Sequence, residues 1–393
     1  MRRKPNSSSG FTLVEMMISA FIGAILVLTA AKLFSFGVHT ALVTSQKAEL
    51  QQDFRAAANL LQRDISMAGA GALGQQGIAT SAIGLPAGAG TVVPVYPCTG
   101  VLTCNYINGA PVAYPQTLNV PYLYSIIPGP NLGITVNAAQ GPTDIITINY
   151  ADISLPLNCY TGTLNAASNL VTFQLPTTLP ATCVLPTGVA APQALNAAVI
   201  GLQVGDPILF GSNVVAIVTG AVGTCALTAG YSACFTVPFA PTDPGHINQA
   251  NVAGASGTLA QYAGIATPTA VRLISITYYL SIPASTGLPT LMRIQSGQLP
   301  APVAENVVYL KFSYDTYNGV VTTNQPNPAS PNLITKVNIL HMSMRSQGRD
   351  TWSKSSLSLY GGYEGLDLQT SVAARNLTML QEYPINCGTP PCL

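Results

Sequence analysis

The stretch that most constrains this chain is Met16 to Ala31, an apolar run without a charged side chain. Ahead of it stand Arg2, Arg3 and Lys4, then a polar segment ending in Gly10, then Phe11-Thr12-Leu13-Val14-Glu15. Apolar character continues past Ala31, broken by Lys32 and His39, to about Val43. A helix of roughly 20 residues crosses a bilayer, so the run is long enough to enter one. An ordinary secretory signal has a shorter apolar stretch followed by a small-residue cut site. Here the polar break comes first, and no A-x-A site follows. The basic residues would hold the leader on the cytoplasmic side.

Beyond Val43 the pattern changes without a helix breaker. Leu50, Phe54, Ala57, Leu61, Ile65 and Ala68 recur at three- and four-residue spacing, one stripe of an amphipathic helix. Gln46, Lys47, Glu49, Gln51, Asp53, Arg55, Arg63 and Asp64 fall mostly off that stripe. No proline interrupts residues 11–68, so a single helix is expected there, about 85 Å long at 1.5 Å per residue. Residues 11–43 suit lipid or a filament core, and residues 44–68 suit packing on a globular domain. Within the first half, Ala20, Gly23 and Ala24 would let neighbouring helices approach closely, although small residues are frequent in any membrane helix. The segment Gly69-Ala70-Gly71-Ala72-Leu73-Gly74 has the form G-x-G-x-x-G. A dinucleotide fingerprint must follow a strand and open a helix. This one closes a helix, so its glycines read as a stop and an exit.

Glu15 is costly at the head of a membrane helix unless it has a partner. A cut after Gly10 would give Phe11 a free amino group one turn away. An ammonium and a carboxylate brought together in an apolar core neutralise each other. Gly10-Phe11-Thr12-Leu13-Val14-Glu15, placed after basic residues and before an apolar helix, resembles the class III signal of type IV prepilins and type II secretion pseudopilins. The resemblance implies cleavage between Gly10 and Phe11 by a membrane prepilin peptidase, which also methylates the new Phe11 amine. It further implies that Glu15, together with Thr12, acts in assembly, Glu15 pairing with the N-terminus of a neighbouring subunit or its own. Leu60-Leu61-Gln62-Arg63-Asp64-Ile65-Ser66-Met67-Ala68-Gly69 is similar to PilW-type minor pilins. So are the stretches from Ala304 to Asp315, from Val337 to Ser346 and from Thr370 to Leu377.

What this implies is an α+β pilin-like fold: a leader at 1–10, a long helix over 11–68, and an extracytoplasmic β-rich domain over 69–393. Residues 75–264 match nothing in the family and read as a loop-rich insertion without an assigned role. The implied partners are the prepilin peptidase, other major and minor pilins, an inner-membrane assembly platform, and the membrane before assembly. The implied location is the inner membrane with the domain in the periplasm, then the pilus and cell surface. The favoured reading is a minor pilin of a priming or tip complex. A J-type minor pseudopilin of type II secretion is the alternative, as is a tip adhesin or DNA-uptake subunit.

Composition agrees with an exported structural protein. Charged residues are 7% of the chain, against about 25% in an average soluble domain. From Ile65 to Thr143 there is no Asp, Glu, Lys or Arg, and the part after Ala68 carries eight basic and ten acidic residues. Nucleic-acid binding rests on phosphate neutralisation, and no basic excess offers it here. Lys336, Arg345, Arg349 and Lys354 form the one local cluster, which reads as a solvated strand face.

Eight cysteines fall as neighbours: Cys98 and Cys104, Cys159 and Cys183, Cys225 and Cys234, Cys387 and Cys392. Each pair brackets a turn-rich loop, so neighbour pairing is favoured, although the count alone permits many connectivities. Disulfides place the body outside the cytoplasm. Without C-x-x-C, and with His39, His246 and His341 scattered, no metal site is expected, and no cofactor either.

Candidate strands are 144–150, 170–175, 214–218, 233–237, 271–282, 291–295, 306–314, 335–344 and 368–374. Asn318-Gly319 marks a tight turn after the seventh. No Walker A, H-E-x-x-H or G-x-S-x-G motif occurs, and an enzyme is not expected. Asp144 and Asp152 flank one strand and read as solvated turn carboxylates, not as an acid/base pair. Asp315, Asn318 and Gly319 read as a turn and lack the EF-hand pattern. The sequon Asn376-Leu377-Thr378 carries no argument in the bacterial setting that the resemblance implies.

Overall fold

The computed structural model describes residues 12–71, short pieces at 82–84, 106–107 and 110–111, residues 122–349 apart from 182, 184, 186–191, 199, 212–213, 242–247, 249–258 and 297, and residues 363–377. It is an α+β chain with one long N-terminal helix, α1 (Leu13–Ser66), and a globular antiparallel β domain. Two compact units are Met1–Asp53 and Phe54–Leu393.

In the first unit the apolar side chains of α1 point outward: Leu13, Met17, Phe21, Leu28, Phe34 and Phe36 are all exposed. The best 18-residue window of α1 has a mean hydropathy of 2.2 and none of it is buried, so this helix is long and apolar enough to cross a membrane. Ser19, Thr29, Thr40 and Thr44 turn their hydroxyls back onto carbonyls three or four residues earlier. That back-bonding hides polar groups on an otherwise apolar surface.

The second unit begins in the last turns of α1. Phe54, Ala57, Leu61, Ile65 and Ala68 are buried, along the stripe expected from their spacing. Each large apolar side chain taken out of water there contributes about 1.5–3 kcal/mol. The helix ends at Ser66, and Gly69 (φ 71°) and Gly71 (φ 62°) then take the left-handed conformation. A Cβ at Gly71 would meet that of Ala151 at 3.1 Å, so this exit needs glycine twice over.

Strands follow in chain order. The first are β1 (Ala82–Gly84), β2 (Tyr106–Ile107), β3 (Ala110–Pro111) and β4 (Tyr122–Tyr124), forming two small pairs, β1 with β4 and β2 with β3. Then come β5 (Ile126–Gly129), β6 (Ile145–Ala151), β7 (Thr161–Leu164), β8 (Leu170–Pro176), β9 (Pro207–Phe210), β10 (Val214–Ile217), β11 (Gly223–Thr224) and β12 (Tyr231–Pro238). The chain continues with β13 (Ala270–Ser281), β14 (Thr290–Gln295), β15 (Ala301–Glu305), β16 (Val307–Tyr317), β17 (Val321–Gln325), β18 (Ile334–Arg349) and β19 (Tyr363–Ala373).

Among the described residues these strands form three larger sheets. One runs β10-β9-β13-β14-β15, with β6 also beside β13 and β5 beside β6. A second runs β11-β12-β8-β7, and a third β17-β16-β18-β19. Within 75–264, β6 lies at the centre of the first sheet, while residues 155–262 gather a hydrophobic cluster of their own. That cluster contains Phe173, Phe210, Phe235 and Phe239. The Phe173 and Phe210 rings stack at 6.3 Å, and Phe239 meets Phe210 edge-on at 5.7 Å. Disulfides Cys159–Cys183 and Cys225–Cys234 close loops at one end of the second sheet. Cys98, Cys104, Cys387 and Cys392 lie outside the described residues.

Strand β13 joins the two hydrophobic regions. Its first residues, Ala270 to Arg272, pair with β9, and Leu273 to Tyr278 pair with β6. The partial alternation in its sequence suggests a half-buried strand. In the fold most of it is buried on both faces, and Thr277 is accommodated by a 2.7 Å hydroxyl bond to Thr147.

Candidate functional site

The residues expected to carry function cluster at the start of α1. Gly10 and Phe11 lie outside the described residues, whereas Thr12 and Glu15 are within them. Thr12 precedes the first helical residue, and its position makes it the N-cap. Its hydroxyl accepts the Glu15 backbone N–H at 3.3 Å. In return the Glu15 carboxylate accepts the Thr12 backbone N–H at 3.2 Å and its hydroxyl at 3.1 Å. This is a reciprocal capping box, in which two N–H groups that a helix start leaves unpaired are satisfied by side chains. The same carboxylate lies at the positive end of the helix dipole, where an acid is favourable. Thr12 and Glu15 are both exposed, so the box leaves the carboxylate within reach of a second chain. Gly23 has no heavy atom within 4 Å of a notional Cβ, so that face is open to close approach.

Sequence reasoning missed a second arrangement, at the other end of α1. By its spacing Asp64 is read as mostly off the apolar stripe, yet it is 1% exposed. Its Oδ2 accepts the Tyr278 hydroxyl at 2.7 Å and the Arg293 Nε–H at 2.8 Å. Tyr278 on β13 and Arg293 on β14 are directly opposite partners, so two strands present both donors to one carboxylate. Burial, and then the Asp64 carboxylate, keep the Tyr278 phenol above its ordinary value. The exposed Arg63 guanidinium touches Oδ1 at 3.2 Å and adds little through solvent. The signal was available: Asp64 lies three residues after Leu61 and seven after Ala57, on the buried stripe itself.

Asp144 and Asp152 do flank one strand, β6, but neither is solvated; they are 3% and 6% exposed. Asp144 takes Lys311 Nζ at 2.7 Å. Asp152 takes Arg272, whose Nε lies at 2.8 Å. Arg272 stands where β13 changes partner, and it also reaches Asp206 at 3.4 Å and the Gly201 carbonyl at 2.8 Å. Burial pushes the Asp206 carboxyl up to about 6, with Arg272 opposing. Burial also acts to raise Asp152, but the Ser154 hydroxyl and Arg272 outweigh it and hold it below its ordinary value. Asp144 and Asp152 are each bound to a different cation at opposite ends of β6, so they do not work on one another as an acid/base pair.

Around the turn near Asn318, Gly319 takes φ 77° and β16 pairs back onto β17. Asp315 accepts the Asn324 backbone N–H at 2.9 Å and the Asn338 amide at 2.8 Å, with Lys336 at 3.6 Å, which is turn chemistry. Among the described residues no group of three or more His, Cys, Asp or Glu side chains is placed to hold a metal ion.

Comparison with known proteins finds a match in the segment that holds the first arrangement. Residues 5–31 match the family model described as the prokaryotic N-terminal methylation motif. The match covers Gly10, Phe11, Thr12, Glu15 and most of the apolar run. No curated protein and no solved structure matches the chain. The N-terminal segment is therefore a type IV prepilin-like signal, followed by a helix able to serve as an anchor, and the chain is type IV pilin- or pseudopilin-like.

Proposed function

We propose that this chain is a minor pilin of the PilW type, a structural subunit of a type IV pilus priming or tip complex. A prepilin peptidase cuts it between Gly10 and Phe11 and methylates the Phe11 amine. The subunit waits in the inner membrane with its β domain in the periplasm. It then moves into a filament beside other pilins through the assembly platform. The observation that carries this reading is the methylation motif at residues 5–31, joined to a helix whose apolar half is bare. A bare apolar helix is stable only in lipid or against like helices. The exposed Glu15 carboxylate, held in place by Thr12, is the natural acceptor for a neighbour's ammonium.

The test is the mass of the N-terminal peptide in envelope protein. Wild type should begin at methylated Phe11, and Gly10→Ala should retain the leader. An intact Met1 in wild type overturns the proposal. In sheared filaments this chain should be present at far lower abundance than the major subunit. Equal abundance would argue for a major role instead.

A further inference from the structure

Asp144 closes a cluster whose chemistry goes beyond an ion pair. The turn after β5 places Pro130 and then Asn131, at φ 58°. The chain returns through Gly133 and Ile134, whose backbones pair with Thr143, to Asp144. Asp144 Oδ1 accepts the Asn131 backbone N–H at 2.8 Å and Lys311 Nζ at 2.7 Å. Its Oδ2 accepts the Phe312 backbone N–H at 2.9 Å. Lys311 Nζ also donates to the side-chain oxygen of Asn131 at 2.6 Å. An amine, a carboxamide and a carboxylate thus meet at one point. Lys311 is 17% and Asp144 5% exposed at the side chain, whereas Asn131 is exposed, and the Tyr309 ring lies 6.0 Å from the amine.

We propose that Lys311 and Asn131 form an intramolecular amide cross-link, with Asp144 as the proton carrier. Such a bond needs a near-attack geometry and a group to move protons. Asp144 takes a proton from the Lys311 ammonium. The freed lone pair attacks Cγ of Asn131, and the carbonyl electron pair moves onto Oδ1. A proton then passes from Nζ to Nδ2. The Cγ–Nδ2 bond breaks as the carbonyl re-forms, and ammonia leaves. Asp144 returns its proton to the ammonia, which departs as ammonium. One lysine ammonium and one carboxamide become one secondary amide and one ammonium ion, so atoms and charge balance without a co-reactant.

The position suits a staple. Asn131 follows β5 at the edge of one sheet, and Lys311 lies on β16 of another, 180 residues away in sequence. Non-covalent ties already join these sheets here, through the Asp144 N–H to the Leu310 carbonyl and through Phe312 to Asp144. A bond that closes so long a loop restricts the unfolded chain strongly.

The experiment uses full-length protein extracted in detergent, then reduced, denatured and digested with chymotrypsin. The expected species joins the Asn131 and Lys311 peptides and is lighter than their sum by one ammonia. Asn131→Gly suits the left-handed turn and keeps the Lys311–Asp144 pair. It should abolish that species and slow migration on a reducing denaturing gel. Lys311→Arg should do the same. Recovery of the two wild-type peptides unlinked at their unmodified masses overturns the proposal, as does persistence of the species in Asn131→Gly.

Discussion

One helix carries an acid near each end, and the two are treated in opposite ways. Glu15, in the first turn, is exposed, lies at the favourable pole of the helix and, among the described residues, is met by its own cap. Asp64, in the last turn, lies at the unfavourable pole and is buried, so it needs a phenol and a guanidinium from two strands. The first acid costs the fold little and is left available to another chain. The second would cost the fold a great deal if unpaired, and it is committed to holding the helix end on the β domain. Helix position and burial together decide which acid stays exposed and which is tied into the fold.

The largest expected effect breaks the second arrangement. Removing one partner of a buried pair leaves an uncompensated charge and costs about 3–5 kcal/mol. Arg293→Ala should therefore lower the thermal midpoint of the detergent-solubilised chain by many degrees, whereas Glu15→Ala leaves it almost unchanged. Replacing all three groups, as in Asp64→Leu with Arg293→Met and Tyr278→Phe, should recover most of the loss, because an apolar cluster of similar volume is often equivalent to a buried polar one and no donor is then left unpaired. If Arg293→Ala melts like wild type, the contrast between the two acids disappears.

A third acid sharpens the contrast, because it is buried but incompletely paired. Asp206 shares Arg272 with Asp152, at 3.4 Å, and its carboxyl is raised from 3.8 to about 6. With the unfolded carboxyl at its ordinary value, this difference is worth about 3 kcal/mol in favour of the fold when the group is protonated. That contribution is complete below about pH 4 and is lost as pH rises through about 6. Stability should therefore increase as pH falls from about 7.5 to about 5, the opposite of ordinary acid denaturation. Asp206→Asn should flatten this difference and be the more stable form at about pH 7.5. Asp152, held below its ordinary value, works the other way, but only below about pH 4. Equal pH profiles for wild type and Asp206→Asn would remove Asp206 from this account.

Much of this was legible in advance, for physical reasons. The apolar run, the capping residues and the stripe of Ala57, Leu61 and Ile65 are periodic and local, so spacing alone reveals them. Long strands such as β13, β16 and β18 announce themselves by β-branched and aromatic residues over many positions. Strands β5 and β9 escaped, because two or three apolar residues beside a proline, Ile-Ile-Pro-Gly and Pro-Ile-Leu-Phe, read equally well as loop. The buried acids escaped for another reason. Asp64 and Arg293 lie 229 residues apart, and no local pattern shows that an acid on an apolar stripe has a partner so distant. The same holds for Asp144 with Lys311, where only the fold shows that a turn carboxylate is enclosed.

The smallest expected effect on stability is also the one that best separates capping from charge. Thr12→Ala removes the cap hydroxyl and should cost about 1 kcal/mol, confined to the first turn of α1. Hydrogen exchange at residues 13–16 should quicken while the global melt stays put. Glu15→Gln differs in kind: glutamine fills the same place in a capping box, so the first turn should remain protected. The charge, however, is gone. If Glu15 serves only its own helix, Glu15→Gln behaves as wild type throughout. If its charge receives a neighbour's ammonium, the variant is cut and folded normally but is missing from sheared filaments. Comparing Thr12→Ala, with the charge and no cap, against Glu15→Gln, with the cap and no charge, assigns the role to one property or the other.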